Sequence, residues 1–179
     1  MVGANGKDGI FHAFDANNLQ NGPLWSFQVG TTADFDIGTC LAAPAWDSSS
    51  RRLFVAGNLT TINAQTFAGS VRAFNPADGS IIWERGLTAG PIMGSPTLNG
   101  SGVLAAGTYN ITDLALNTVY LLNATNGTIL TTIAQPGDIV FAQPVFAGSH
   151  LFVASAGGPR SSSGKLTAYT TGALKSGKE

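Results

Sequence analysis

The chain has 179 residues, including 23 Gly and 8 Pro, and only 11% of it is charged, against roughly 25% in an ordinary soluble domain. Nine Lys and Arg against ten Asp and Glu leave a formal net charge of −1, which excludes a nucleic-acid binder working through a basic face. A hydrophobic fraction of 44% excludes a disordered chain, and no apolar run approaches the ~18 residues of a membrane-spanning helix.

Taken in chain order, Met1 to Ala4 reads as a strand, followed by a second at Phe11-His12-Ala13-Phe14-Asp15 and a third at Gly22-Pro23-Leu24-Trp25. A Gly/Thr-rich linker carrying Asp34-Phe35-Asp36 and Cys40 comes next. The second unit opens with Ala43-Pro44-Ala45-Trp46. It continues with Leu53-Phe54-Val55-Ala56-Gly57, Val71-Arg72-Ala73-Phe74-Asn75 and Gly79-Ser80-Ile81-Ile82-Trp83. The third repeats the order with Ser95-Pro96-Thr97-Leu98, Val103-Leu104-Ala105-Ala106-Gly107, Val119-Tyr120-Leu121-Leu122-Asn123 and Gly127-Thr128-Ile129-Leu130-Thr131. The fourth supplies Gln143-Pro144-Val145-Phe146, Leu151-Phe152-Val153-Ala154-Ser155 and Leu166-Thr167-Ala168-Tyr169-Thr170. The prolines recur 52 and 48 residues apart.

Four short strands in a period near 48 residues match the blade of a β-propeller. The turns Pro76-Ala77-Asp78-Gly79 and Ala124-Thr125-Asn126-Gly127 supply the positive φ that a tight hairpin needs. Proline cannot donate to a ladder and belongs on an edge strand, so the proline-bearing strand is expected innermost, at the channel. The sequence therefore predicts an all-β fold of four-stranded antiparallel blades, about three and a half to four of them. The blade parts span about 1–29, 42–86, 92–134 and 140–171.

The chemistry-bearing residues are scattered. Cys40 is the single cysteine, so no internal disulfide forms and it reads as a buried thiol. Asp34 and Asp36 read as a solvated loop and Asp8 as a turn residue. His12 projects outward from a strand, and His150 is expected in the Gly148-Ser149-His150 turn. Arg51-Arg52 and Lys175 to Lys178 read as surface charges. Five Asn-x-Ser/Thr sequons, at Asn58, Asn99, Asn110, Asn123 and Asn126, read as turn formers unless the chain passes a eukaryotic secretory route. No phosphate loop, nucleophile elbow or zinc motif is present.

Ala73-Phe74-Asn75-Pro76-Ala77-Asp78-Gly79-Ser80-Ile81-Ile82-Trp83 resembles the tryptophan-docking motif of pyrroloquinoline quinone (PQQ)-type propellers, A-x-D-x-x-T-G-x-x-x-W. Ala13-Phe14-Asp15 through Gly22 and Trp25 resembles a second copy. The third keeps Asn123, Asn126 and Gly127 but has Thr131 in place of tryptophan. The resemblance implies that Trp25 and Trp83 are structural, packing on turns of neighbouring blades through Gly22, Gly79 and Gly127. The stretches from Gly3 to Asp15 and from Phe54 to Asn58 resemble exported bacterial proteins of the polyvinyl-alcohol-dehydrogenase-like group.

That family contains quinoprotein dehydrogenases, which bind PQQ and Ca²⁺, and cofactor-free scaffolds. The resemblance places Asn58, after Ala56-Gly57, where an Asn helps hold Ca²⁺, and makes it the one candidate metal ligand. The Asp expected after the next outer strand is missing from Glu84-Arg85-Gly86-Leu87-Thr88-Ala89-Gly90, so no catalytic residue is assigned and no base for an alcohol proton stands there. The expectation is a non-catalytic binding scaffold with no cofactor; the alternative is a fragment of a PQQ- and Ca²⁺-dependent alcohol dehydrogenase.

Fewer than four complete blades would leave apolar faces and strand edges bare, so another propeller segment or a second copy is expected to complete the ring. A protein or polymer ligand is the expected further partner, with no nucleic acid and no membrane span. Met1-Val2-Gly3-Ala4-Asn5 lacks the basic and apolar regions of a signal peptide, yet few Lys with many Thr, Ser, Asn and Gly suit an exported protein. The expectation is a mature fragment of a secreted, periplasmic or cell-surface bacterial protein.

Overall fold

The computed structural model describes residues 1–31, 42–158 and 161–170. These residues form four antiparallel sheets that follow one another along the chain. The first contains β1 (Val2–Asn5), β2 (Ile10–Phe14) and β3 (Pro23–Gln28). The second contains β4 (Ala45–Asp47), β5 (Arg52–Ile62), β6 (Gln65–Phe74) and β7 (Ile81–Leu87). The third contains β8 (Thr97–Leu98), β9 (Val103–Gly107), β10 (Thr118–Asn123) and β11 (Ile129–Ala134). The fourth contains β12 (Val145–Ala147), β13 (His150–Ala156) and β14 (Gly164–Thr170). Each sheet is a meander of neighbouring strands, so the fold is all-β and built of propeller blades.

Register explains why the four units look alike. Trp46 pairs with Leu53, Leu98 with Leu104 and Phe146 with Leu151. In each of the first three sheets a bulge interrupts the pairing of the last two strands, after Ala13, Ala73 and Leu121. A bulge bends and twists a strand locally, and here it falls just after Trp25, Trp83 or Thr131 has paired with the neighbouring strand. Of the short first strands, β8 touches both β4 and β12, which places them where the sheets converge.

Strand alternation puts one row of side chains against the sheet before and one against the sheet after. Phe54, Ala56, Ala73 and Trp83 meet Leu104, Ala106, Tyr120 and Leu122 in the largest core cluster. Phe11, Ala13 and Val29 meet Leu53, Val55 and Phe74 between the first two sheets. Ala105 and Leu121 meet Leu151 and Val153 between the last two. The core is therefore a series of slabs between sheets, and each blade needs a neighbour to be buried.

Three expectations are corrected. Pro44, Pro96 and Pro144 stand just before β4, β8 and β12 rather than inside them, where a missing N–H costs no ladder bond. The middle strands of the second sheet run far past Gly57, into a hairpin whose tip, Asn63-Ala64, takes positive φ at both residues; Asn58 is thus not a turn residue. His150 opens β13 instead of lying in the turn.

Candidate functional site

Asn58 sits inside β5 and is fully buried. The pairing with β6 skips Leu59, whose φ is +37°, and this kink lets the exposed Leu59 carbonyl accept from the Thr31 N–H at 2.9 Å. The Asn58 Oδ1 accepts the Ile92 N–H at 2.7 Å, and its Nδ2 reaches the Met93 Sδ at 3.1 Å. On the other side, a Cβ at Gly30 would strike the Asn58 backbone. Asn58 therefore locks together the segments that leave the first and second sheets. A buried amide is closed to glycosylation, and its oxygen is committed to a main-chain donor.

The donor set does not match Ca²⁺, which takes six to eight oxygens, carboxylates among them. Among the described residues no group of three or more His, Cys, Asp or Glu could hold a metal ion.

Trp25 and Trp83 occupy equivalent places. Trp25 donates Nε1–H to the Pro76 carbonyl at 2.9 Å, and a Cβ at Gly79 would lie 2.6 Å from its ring. Trp83 donates to the Ala124 carbonyl at 3.0 Å, and its ring covers Gly127 in the same way. Both glycines have positive φ, +73° and +70°. Gly22 has φ +78° as well, but open space around its missing Cβ.

Two arginines strengthen the second of these contacts. Arg85 Nε donates to the Gly127 carbonyl at 2.8 Å, and Arg52 Nη1 to the Thr125 carbonyl at 3.0 Å. Arg52 was expected as a surface charge; it is half-buried because the next sheet's turn offers it bare carbonyls. Arg51 beside it is exposed.

Arg72 was not singled out from sequence, although a cation inside Val71-Arg72-Ala73-Phe74 was the available signal. It is almost fully buried. Its guanidinium donates to Glu84 at 3.1 Å, to the Val29 carbonyl at 2.9 Å and to the hydroxyls of Ser70 and Thr60 at 2.9 and 2.7 Å. The Phe27 ring lies 5.5 Å away. Such a charge survives burial because it is paired and hydrogen-bonded, and it ties the second sheet to the backbone of the first.

The remaining polar groups are dispersed. His12 Nδ1 lies 2.8 Å from Ser26 Oγ, and its Nε2 lies 3.9 Å from Asp8 Oδ2. The residue types are those of a hydrolytic triad, but the carboxylate is beyond hydrogen-bond reach and does not orient the ring as a base. Asp138 pairs with Lys165 at 2.8 Å and accepts from Ser155 at 3.3 Å. An apolar cleft of about 490 Å³ lies between the first two sheets, lined by Gly3, Leu24, Trp46 and Leu53 among others. Asn99, Asn123 and Asn126 cap their own turns, each accepting a backbone N–H two residues on, as does Asn110. Cys40, Asp34, Asp36 and Lys175 to Lys178 lie outside the described residues. No described helix is long and apolar enough to cross a membrane.

No family model matches the chain, and no curated protein matches it. Solved structures are. A europium-containing methanol dehydrogenase superposes with a TM-score of 0.59 at 11% identity, over 85% of this chain and 35% of that one. The computationally designed Ika4 protein superposes with a TM-score of 0.58 at 13% identity, over 94% of this chain and 83% of that one. The chain thus spans about a third of the dehydrogenase. At such identities the likeness carries the fold, a quinoprotein-like set of propeller blades, and fold alone does not set function.

Proposed function

We propose that the chain is a non-catalytic binding scaffold, a PQQ-like propeller segment of an exported bacterial protein. Its loops would hold a protein or polymer ligand, with further blades completing the ring. The observation that carries this reading is Asn58: the residue placed best for a cation spends its carboxamide on Ile92 and Met93 and is sealed between sheets. The described residues around it supply packing and main-chain hydrogen bonds, not a base.

A second reading, a piece of a PQQ- and Ca²⁺-dependent alcohol dehydrogenase, draws on the likeness to the methanol dehydrogenase. The test is to add PQQ and Ca²⁺ to the purified chain, remove the excess and record the spectrum together with dye-linked alcohol oxidation. The scaffold reading expects neither retained quinone absorbance nor activity. Retained quinone with alcohol-dependent dye reduction overturns it.

A further inference from the structure

The two end sheets carry the two halves of one interface. Where the second sheet meets the third, Phe54, Ala56 and Ala73 are the donor row. By register the same positions of the fourth sheet are Phe152, Ala154 and Ala168, since Phe152 pairs with Ala168 as Phe54 pairs with Ala73. That row faces away from the third sheet. Beside it Val145 and Leu166 are 50% and 73% exposed, far more than an ordinary packed strand allows.

The receiving row of the third sheet is Leu104, Ala106, Tyr120 and Leu122. The equivalent positions of the first sheet are Val2, Ala4, His12 and Phe14, fixed by the shared bulge after Ala13 and Leu121. Val2 is 48% exposed, and Ala4 is exposed too. The polar member matches as well. Arg72 and Tyr120, at the His12 position of the next two sheets, each bond the main chain of the preceding sheet's exit segment, at Val29 and Ala89. His12 is a polar group at the same place.

We propose that the outer face of the fourth sheet in one copy packs on the outer face of the first sheet in a second copy, and that two such contacts close a two-chain ring. Two copies of four sheets make eight, within the range of closed propellers. The contact is head-to-tail, which gives a ring when the rotation closes and a filament when it does not. The proposal rests on the propeller reading of the fold and is independent of whether the chain binds a quinone.

The test is light scattering coupled to size exclusion on wild type, Val2→Asp and Leu166→Asp. Both side chains are exposed in the single chain, and circular dichroism checks that the variants fold. The expected results are a wild-type dimer and two folded monomers. A mixture of the two variants has one intact junction, from the Leu166 face of one chain and the Val2 face of the other, and is expected to recover dimer. A folded wild-type monomer, or a dimer that neither substitution weakens, overturns the proposal. So does recovery of no dimer on mixing, and so do open polymers; loss of the dimer in only one of the two variants marks a like-with-like contact and overturns it too. A dimer that retains PQQ keeps this proposal while overturning the scaffold reading, and a monomer that ignores PQQ does the reverse.

Discussion

The indole of Trp25 occupies the space in which a side chain at Gly79 would stand, with its Nε1–H on the Pro76 carbonyl. Gly79→Ala therefore meets two costs. An alanine held at φ +73° costs about 1–2 kcal/mol, and displacing a packed ring costs a further ~1–3 kcal/mol. Gly22→Ala, at φ +78° with open space around it, meets only the first. Urea denaturation of both variants measures the difference; equal losses would show that the ring gives way freely.

Asn58→Ala leaves the Ile92 N–H buried without its acceptor, a loss of about 1–3 kcal/mol. Asn58→Asp keeps the acceptor but buries a charge. It is expected to lower the melting temperature, with no recovery on adding Ca²⁺. Recovery by Ca²⁺ and not by Mg²⁺ would make this position a cation site.

Arg72→Ala removes four donors to two sheets and strands the half-buried Glu84 carboxylate, with an expected loss of about 3–5 kcal/mol. Glu84→Gln leaves the other three acceptors in place and should cost less, about 1–3 kcal/mol. Chemical denaturation ranks them. The reverse order would place the strength of this network in the ion pair rather than in the link to Val29.

The hydroxyls of Ser50 and Ser49 draw the Asp47 carboxyl down to a pKa of about 2, from 3.8. The Ser80 backbone N–H and hydroxyl lower Asp78 likewise. A depressed pKa favours the folded form while the group is ionised, so this contribution is whole above pH ~4 and drains away as the pH falls toward 2. Both turns are exposed to solvent screening, so the effect is modest. The urea midpoint of Asp47→Asn is expected to fall less between pH 4 and pH 2 than that of wild type. An identical fall in both would show that the turn carries no such linkage.

The repeat made the fold legible, because strands of period 2 joined by Asn-Gly and Asp-Gly turns leave a local trace in the residue order. The polar centres left less. Asn58 reads as a turn former after Gly57, since its sequon and glycine are local signals. Its actual place depends on Ile92, Met93 and Gly30, all brought in by neighbouring sheets. Arg52 likewise reads as a surface charge until the turn at Ala124–Thr125, more than seventy residues on, comes beside it. These contacts between sheets join positions 34, 41 and 73 residues apart, and no short window along the chain shows them.

Trp25 and Trp83 point one way along the chain: each leaves its own sheet and is covered by the turn of the next. That gives the array a polarity. A sheet lends its turn backward and takes its cover from ahead, so damage travels toward the N-terminus by one sheet at a time. Loosening the third sheet would bare Trp83 and leave Trp25 seated, whereas loosening the first would leave Trp83 seated. The same defect thus has different reach according to the side on which it starts.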